Sequence, residues 1–526
     1  MPGGKSFAGR AWTRLAIGMV AAMTVIGIAR ADSDGITNSS NVPQPGNLVT
    51  CSAVGTGVPG LVWTPSAFSF DISWIDDFDR AYFLADRSHG IPFATSSTGN
   101  PNGGGDIMEI DINSVNLTSA NTSGQGTVYL TPPKNDPFAG IACDQNTAFG
   151  GTSGVGRNEI TGPNGAFTVN HAEVWAGDGP SYFQPGQGHG TVTMSAAGTC
   201  GVAGVTCTYS GTTADYAADK CDSSVRVFDL ISGKQTDHID VGGCFRTDEG
   251  AFDPVDQVAV FANPSEQPGI NSLPLNQSAY VTFISTISVA PGQHHQILKQ
   301  INFDGTNGTI KADMGIEQAV YSKQTGFFYI SIPGASSNAA GYVTIIDPTD
   351  RNNIKVVGNY TLAPHMVKGT ETFCAPNGGA LGPNFELFLG CSSGPVEIID
   401  IRDGSVQHVF KKTAGGCDEV AFNPGDDHFL GACTDSNSPS TDNLDIIDAL
   451  PPRVIDQQIN THTAGAHSVA ADAVTVSAWQ PAAAASAAGP SVGGLCGATP
   501  CVLIYTSSGG DDASVFADEK TGTGSP

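Results

Sequence analysis

The chain has 526 residues, of which only 14% are charged, and it contains 66 Gly and 32 Pro. This composition lies below the level that marks low-complexity disorder, argues against long helices, and favours many short strands joined by turns. The formal net charge is −27. A surface this acidic would repel phosphate backbones, so nucleic acid is not expected as a partner.

The first 31 residues predict a cleaved signal peptide. Three basic residues up to Arg14 precede the apolar run 15–29, and Ala29 and Ala31 place small residues at the two cleavage positions. An uncleaved anchor is the alternative, but this run is shorter than the ~20 residues needed to cross a bilayer. We therefore expect cleavage after Ala31 and a secreted or periplasmic protein without membrane contact.

The rest of the chain repeats a unit of short strands. In five units a first strand ends in a turn, in the segments 248–254 (DEGAFDP), 316–322 (IEQAVYS), 370–376 (TETFCAP), 418–424 (DEVAFNP) and 466–472 (AHSVAAD). A second strand follows each, as in 257–262 (QVAVFA), and a third closes on an acidic turn, as in 341–347 (GYVTIID). Two earlier units begin near Ser73 and at 165–169. Alternating apolar residues at a period of about 45 to 50 residues predict an all-β fold, a seven-bladed β-propeller of four-stranded antiparallel blades.

The repeats define the organisation of the chain. After the signal peptide (1–31), residues 32–66 form an N-terminal extension, 67–510 the propeller, and 511–526 a C-terminal tail. The segment 48–63 is expected to supply a strand that closes the ring beside 501–506, which would remove free sheet edges.

Insertions at 132–164 and 179–222 are the longest connections. Two kinds of connection lie on the same side of a propeller: the loop from strand two to strand three of a blade, and the loop from strand four to the next blade. The long loops should therefore cluster on one face, the face at which the inner strands begin. Loops of this length are functional or tolerated insertions, and both interpretations remain open.

Twelve cysteines in an exported chain indicate disulfides. Cys374 with Cys391 and Cys417 with Cys433 each bracket one predicted hairpin, which favours two cross-strand disulfides. No CxxC spacing occurs, and this argues against zinc or redox motifs. The other close pairs are Cys200 with Cys207 and Cys496 with Cys501, and the remaining four (Cys51, Cys143, Cys221 and Cys244) allow three pairings, of which Cys221 with Cys244 is favoured.

On these repeats the chain resembles the secreted seven-bladed propellers built from YVTN-type repeats, and the wider lactonase and gluconolactonase propeller group. The resemblance covers roughly residues 67–510 and depends on the repeat pattern. In the gluconolactonase-like propellers a divalent metal at the tunnel mouth, held by Glu, Asn and Asp side chains, polarises a carbonyl for ring opening. This sequence departs from that family's mixed Asn/Asp set.

Four glutamates begin the predicted inner strands of blades three to six: Glu249, Glu317, Glu371 and Glu419. The first positions of inner strands point at the central tunnel, and converging carboxylates repel one another unless solvent, protons, amide groups or a cation compensate them. Calcium, which takes six to eight oxygen ligands, suits this set. The resemblance adds Asn164 as a further oxygen ligand. The alternative is that each glutamate accepts amide hydrogen bonds from the neighbouring blade and has only a structural role.

Three functions follow from these residues. The leading hypothesis is an exported, monomeric binding propeller that takes a small ligand or protein partner at an acidic axial mouth occupied by a divalent cation. The first alternative is a metal-dependent hydrolase or lactonase, with Glu317 and Glu371 at the cation and His467, at the equivalent place in blade seven, as general base. The second alternative is a metal-free protein-interaction propeller that uses the long loops.

Overall fold

The structure, a computed structural model, describes residues 36–43, 70–86, 106–115, 127–133, 138, 141–142, 159–160, 163–179, 223–242, 246–264, 278–287, 295–312, 314–334, 340–411, 416–434, 442–461, 467–482 and 501–507. Within them the chain forms seven four-stranded antiparallel sheets and two short hairpins. The predicted all-β fold of seven blades is confirmed.

The strands follow the chain order. The first, β1 (Ile36–Pro43), belongs to blade seven. Blade one contains β2 (Phe70–Asp76), β3 (Ala81–Asp86), β4 (Asp106–Asp111) and β5 (Thr127–Leu130). A hairpin of β6 (Ile141–Ala142) and β7 (Glu159–Ile160) follows. Blade two contains β8 (Ala166–Val169), β9 (Glu173–Asp178), β10 (Ser224–Asp229) and β11 (Lys234–Asp240). Blade three contains β12 (Gly250–Asp253), β13 (Val258–Asn263), β14 (Tyr280–Ser285) and β15 (Ile297–Asn302).

Blade four contains β16 (Ala319–Ser322), β17 (Phe327–Ile332), β18 (Tyr342–Asp347) and β19 (Lys355–Thr361). A second hairpin is formed by β20 (His365–Val367) and β21 (Thr370–Thr372). Blade five contains β22 (Ala375–Leu381), β23 (Glu386–Ser393), β24 (Glu397–Asp400) and β25 (Val406–Val409). Blade six contains β26 (Cys417–Asn423), β27 (His428–Thr434), β28 (Asp442–Asp448) and β29 (Ile455–Asn460). Blade seven contains β30 (Ala470–Asp472), β31 (Ser477–Ala482), β32 (Cys501–Ser507) and β1.

The seven inner strands form a closed ring, because each contacts the next and β30 contacts β2. Apolar side chains fill the spaces between neighbouring blades. Tyr82 of blade one stacks on Trp479 of blade seven with ring centroids 5.2 Å apart, and Phe388 of blade five stacks on Phe429 of blade six at 4.9 Å. Since each blade buries both faces of its sheet, a blade is stable only beside its neighbours.

The ring is completed by the N-terminal strand. Strand β1 pairs antiparallel with β32, with Ile36 opposite Ser507 and Pro43 opposite Cys501. The segment 48–63, which was predicted to close the ring, lies outside the described residues. Blade seven is also joined to blade one, because the Arg80 guanidinium binds both carboxylate oxygens of Asp472, at 2.5 and 2.7 Å.

Two predicted disulfides are present, Cys374 with Cys391 and Cys417 with Cys433. Cys417 and Cys433 are direct partners in the β26–β27 ladder, so this bond is the expected cross-strand link. The other predicted pairs lie outside the described side chains. Among the described residues no helix is long and apolar enough to cross a membrane.

The sequence prediction placed the inner strand of blade five at 370–376, and this is wrong. Residues Thr370–Thr372 lie in the second hairpin, and the inner strand is Ala375–Leu381. The physical reason is a pair of glycines. A Cβ on Gly378 would lie 2.3 Å from the carbonyl oxygen of Asp418 in blade six, so this inner strand can approach its neighbour only without a side chain there. The glycines hide the apolar alternation by which the other inner strands were predicted.

Candidate functional site

A cavity of about 780 Å³ runs along the axis of the ring, and residues of all seven blades line it. Its wall is mostly apolar. The aromatic residues of the wall are Trp74, Phe167, Phe252, Tyr321 and Phe422. The volume lies within the range of small-molecule sites. Because the inner strands all begin at one end of this tunnel, the side chains that precede them define its mouth.

Two buried glutamates from opposite sides of the ring meet at this mouth. Glu249, just before β12, is 5% exposed and Glu419 of β26 is 2% exposed, and both line the tunnel. Their carboxyl groups interact with each other. Gln318 supports the pair, since its Nε2 donates to Glu419 Oε2 at 3.1 Å. Glu249 Oε2 and Glu419 Oε1 are fully buried and have no hydrogen-bond partner.

The carboxyl pair keeps a proton. Burial raises the pKa of Glu249 well above its ordinary value, and the charges of Glu419, Asp248 and Glu317 raise it further. Burial likewise raises the pKa of Glu419, with Asp418 adding to the effect. Two carboxylates in contact inside a protein cannot both ionise without a compensating cation. The pair therefore acts as one acidic unit that shares a proton until a cation replaces it.

A second acidic group lies beside Glu249. The carboxylate oxygens of Asp248, Glu249 and Glu317 lie within 4.8 Å of one another, and all three residues are buried. Arg246 is the cation of this group, because its Nε donates to Asp248 Oδ2 at 2.5 Å and its Nη2 lies 3.9 Å from Glu317 Oε2. Asp248 and Glu317 thus share one guanidinium, which leaves excess negative charge between blades three and four.

His467 connects the mouth to blades one and six. Its Nε2 lies 2.5 Å from Asp71 Oδ1, and its Nδ1 pairs with Asp418. Asp418 is also held by Asn377, whose Nδ2 donates to its Oδ1 at 2.9 Å. Burial lowers the pKa of His467, but the two aspartates outweigh burial and raise it well above its ordinary value. The imidazole is therefore a cation between two carboxylates.

The structure brings together three of the four glutamates predicted as ligands. Glu249, Glu317 and Glu419 lie at the mouth, whereas Glu371 lies in β21, opposite Met366, and is exposed. Asn164 is buried at the entrance to blade two, and its Nδ2 donates to the carbonyl oxygen of Thr247 at 2.9 Å. Its amide group therefore ties blade two to blade three.

The register of the inner strands corrects one further prediction. In blades three, four and six the first hairpin closes at Asp253, Ser322 and Asn423. Counting back four residues from these positions leads to Glu249, Gln318 and Glu419, so Gln318 and not Glu317 is level with the carboxyl pair. Glu317 is level with Asp248 instead, and this explains why these two meet. Arg246, Asp71 and Gln318 were missed, although aligning the hairpin turns would have found Gln318.

No family model and no curated protein matches the chain. Comparison with solved structures gives 1210 matching chains. One of them, from the crystal structure of the mitotic checkpoint complex, is 9% identical, has a TM-score of 0.48, and aligns over 96% of both chains. This likeness is too distant to bear on function. On the arrangement of its own sheets, the chain is a seven-bladed β-propeller.

Proposed function

We propose that this protein is a binding propeller that takes a small ligand in its central tunnel and a cation at the acidic mouth. One observation carries the proposal: an apolar tunnel ends on Glu249 and Glu419, whose two buried oxygens lack hydrogen-bond partners. Buried acceptors without partners cost about 1–3 kcal/mol each. A cationic group at the mouth would satisfy them and remove the charge repulsion.

The balance of charge supports the cation. Among the residues that the structure describes, six carboxyl groups and two cationic side chains, Arg246 and His467, lie around the mouth; the carboxyls belong to Asp71, Asp248, Glu249, Glu317, Asp418 and Glu419. Asp248, Glu249 and Glu317 form the best-placed set for a divalent ion. Their oxygens are hard ligands of the kind that Ca²⁺ prefers. Since Glu249 must lose its proton to bind a metal, the affinity for Ca²⁺ should increase with pH.

The test is Ca²⁺ binding by the full chain, measured by calorimetry and by thermal unfolding in CaCl₂ against EDTA. Glu317→Gln removes one ligand of the proposed site, and Glu371→Gln is the matched control, since Glu371 lies in the exposed hairpin. We expect Ca²⁺ to stabilise the wild type and E371Q but not E317Q; a ligand at 100 times its Kd adds about 2.7 kcal/mol. If neither method detects Ca²⁺ with the wild type, the cation site is wrong and a metal-free interaction propeller becomes the better hypothesis.

The hydrolase alternative receives less support from this geometry. His467 is held between two aspartates as a cation, so it has no free nitrogen to accept a proton from water. Glu371, one of the two glutamates that this hypothesis places at the cation, lies outside the inner strands. The binding function needs neither residue as an acid or base.

We also propose that the protein is exported. The two disulfides support an oxidising compartment. The signal peptide at 1–31 lies outside the described residues. Intact mass of the protein isolated from a secreting host should show removal of residues 1–31, and a mature chain that retains them would contradict cleavage.

A further inference from the structure

The geometry points to an organic amine with an apolar body as the ligand of the tunnel, bound through its ammonium group by Glu249 and Glu419. This inference rests on the proposed function, because it assumes that the tunnel binds a small molecule. It adds the chemical class of that molecule and the two atoms that recognise it, Glu249 Oε2 and Glu419 Oε1.

The two acceptor atoms define the head group of the ligand. Both glutamates line the cavity, both are more than nine-tenths buried, and each has one oxygen without a partner. An ammonium group carries a positive charge and three N–H donors. It can therefore donate to these oxygens and supply the positive charge that the pair otherwise takes from a proton. Charge-assisted hydrogen bonds of this kind are about twice as strong as neutral ones.

The surroundings of the pair favour an amine over a metal ion on the tunnel side. Gly250 and Val420, which follow the two glutamates in the chain, have no side-chain oxygen, and the side-chain oxygen of Gln318 already accepts from the backbone N–H of Gly379. Calcium needs six to eight oxygens, whereas an ammonium needs only a few acceptors. Asp248 and Glu317 lie within 4.8 Å of Glu249, so a metal would take Glu249 together with these two carboxylates, whereas an amine would take it together with Glu419. An anionic ligand would be repelled by the excess negative charge.

The wall of the tunnel suits an apolar body attached to the ammonium. Trp74, Phe252, Tyr321 and Phe422 come from four different blades and line the same cavity. The Trp74 side chain is fixed, since its Nε1 donates to Thr168 Oγ1 at 3.2 Å, but 41% of the residue remains exposed. Aromatic faces attract cations and pack against apolar groups. A ligand with only a charge, such as ammonium ion, would leave this surface unused.

The experiment compares 2-phenylethylamine with 2-phenylethanol, which has the same body but no charge, by calorimetry in EDTA at pH 7. We expect the amine to bind the wild type at least tenfold more tightly than the alcohol. Glu249→Gln and Glu419→Gln should each reduce this preference about tenfold, whereas the matched control Glu371→Gln should retain it. Thermal unfolding of each variant shows that it is folded.

Fluorescence of Trp74 gives a second measurement of the same event. The emission of Trp74, obtained as the difference between the wild type and Trp74→Phe, should change with the amine at the concentration that saturates the calorimetric signal. Equal binding of amine and alcohol, or an amine preference that survives in E249Q and E419Q, would overturn the inference but leave tunnel binding intact. Absence of binding of both compounds would also overturn it, while the Ca²⁺ titration would still report on the cation of the proposed function.

Discussion

Replacing Glu249 by Gln should make the protein more stable relative to the wild type as the pH rises. The amide resembles the protonated carboxyl in shape and keeps its contact with Glu419, but it does not titrate. In the wild type the pKa of Glu249 is raised by burial and by neighbouring carboxylates, so the folded chain holds a proton that the unfolded chain releases above its ordinary value of 4.5. The contribution of this proton to the free energy of unfolding is fully present below pH 4.5, and it is lost as the pH rises towards the folded-state pKa.

The size of the effect follows from the linkage of one proton to folding. Each pH unit between the unfolded and the folded pKa costs the wild type about 1.4 kcal/mol. Asp248 and Glu317, which face Glu249, are present in both proteins, and their contributions largely cancel in the difference. Glu419 shares the proton with Glu249, so the difference reports the proton of the pair. The difference between wild type and variant therefore isolates this proton.

The assay is urea unfolding of wild type and E249Q in EDTA at pH 5.5, 6.5 and 7.5. The unfolding free energy of E249Q should increase relative to that of the wild type at each step in pH. Glu371→Gln, an exposed glutamate outside the tunnel, should show a difference that does not depend on pH. If the E249Q difference is also flat, or if the wild type gains with rising pH, then Glu249 is ionised in the folded protein and the shared proton at the mouth does not exist.

Three further outcomes test the blade contacts. Gly378→Ala should destabilise the protein by about 1–3 kcal/mol in urea unfolding, because the new Cβ would lie 2.3 Å from a backbone oxygen. Gly379→Ala is the control and should be tolerated, because its Cβ would contact only side-chain atoms at 3.5 Å or more. Arg80→Ala should cost about 3–5 kcal/mol of unfolding free energy, because it leaves the buried Asp472 carboxylate without its cation. Arg402→Ala, whose side chain is 60% exposed, should leave stability nearly unchanged, and equal losses in the two variants would refute this contrast. Burial lowers the pKa of His428, but Asp426 and Asp448 outweigh burial and raise it to about 10. The wild type should therefore exceed His428→Gln in unfolding free energy by a margin that is complete below pH 6.5 and shrinks between pH 7 and 9.5. A margin that grows with pH would refute this prediction.

The fold could be predicted from the sequence because each blade repeats the same local pattern. Alternating apolar residues and acidic turns mark individual strands, and this signal needs no knowledge of distant contacts. It failed at blade five, where Gly378 and Gly379 replace apolar residues. Gly378 is required by the backbone of blade six, so the reason for it lies in a contact between residues 40 positions apart.

The site was predicted only in part, for a related reason. Carboxylates at the start of inner strands suggested a shared axial mouth, and Glu249 and Glu419 do meet there. The cationic partners could not be predicted from any local pattern. Arg246 precedes its strand and His467 belongs to a different blade from both of its aspartates, so their roles depend on how the ring closes.

Blade seven unites residues from near the two ends of the chain, since β1 pairs with β32 about 460 positions later. During synthesis the first six blades can assemble in order, but β32 remains an open edge until the early strand returns to it. A truncation that removed residues 36–43 would leave that edge exposed to a second copy and promote aggregation. The predicted cleavage after Ala31 would leave only four residues, 32–35, ahead of this strand, so cleavage displaced towards the C-terminus by one strand length would abolish closure of the ring.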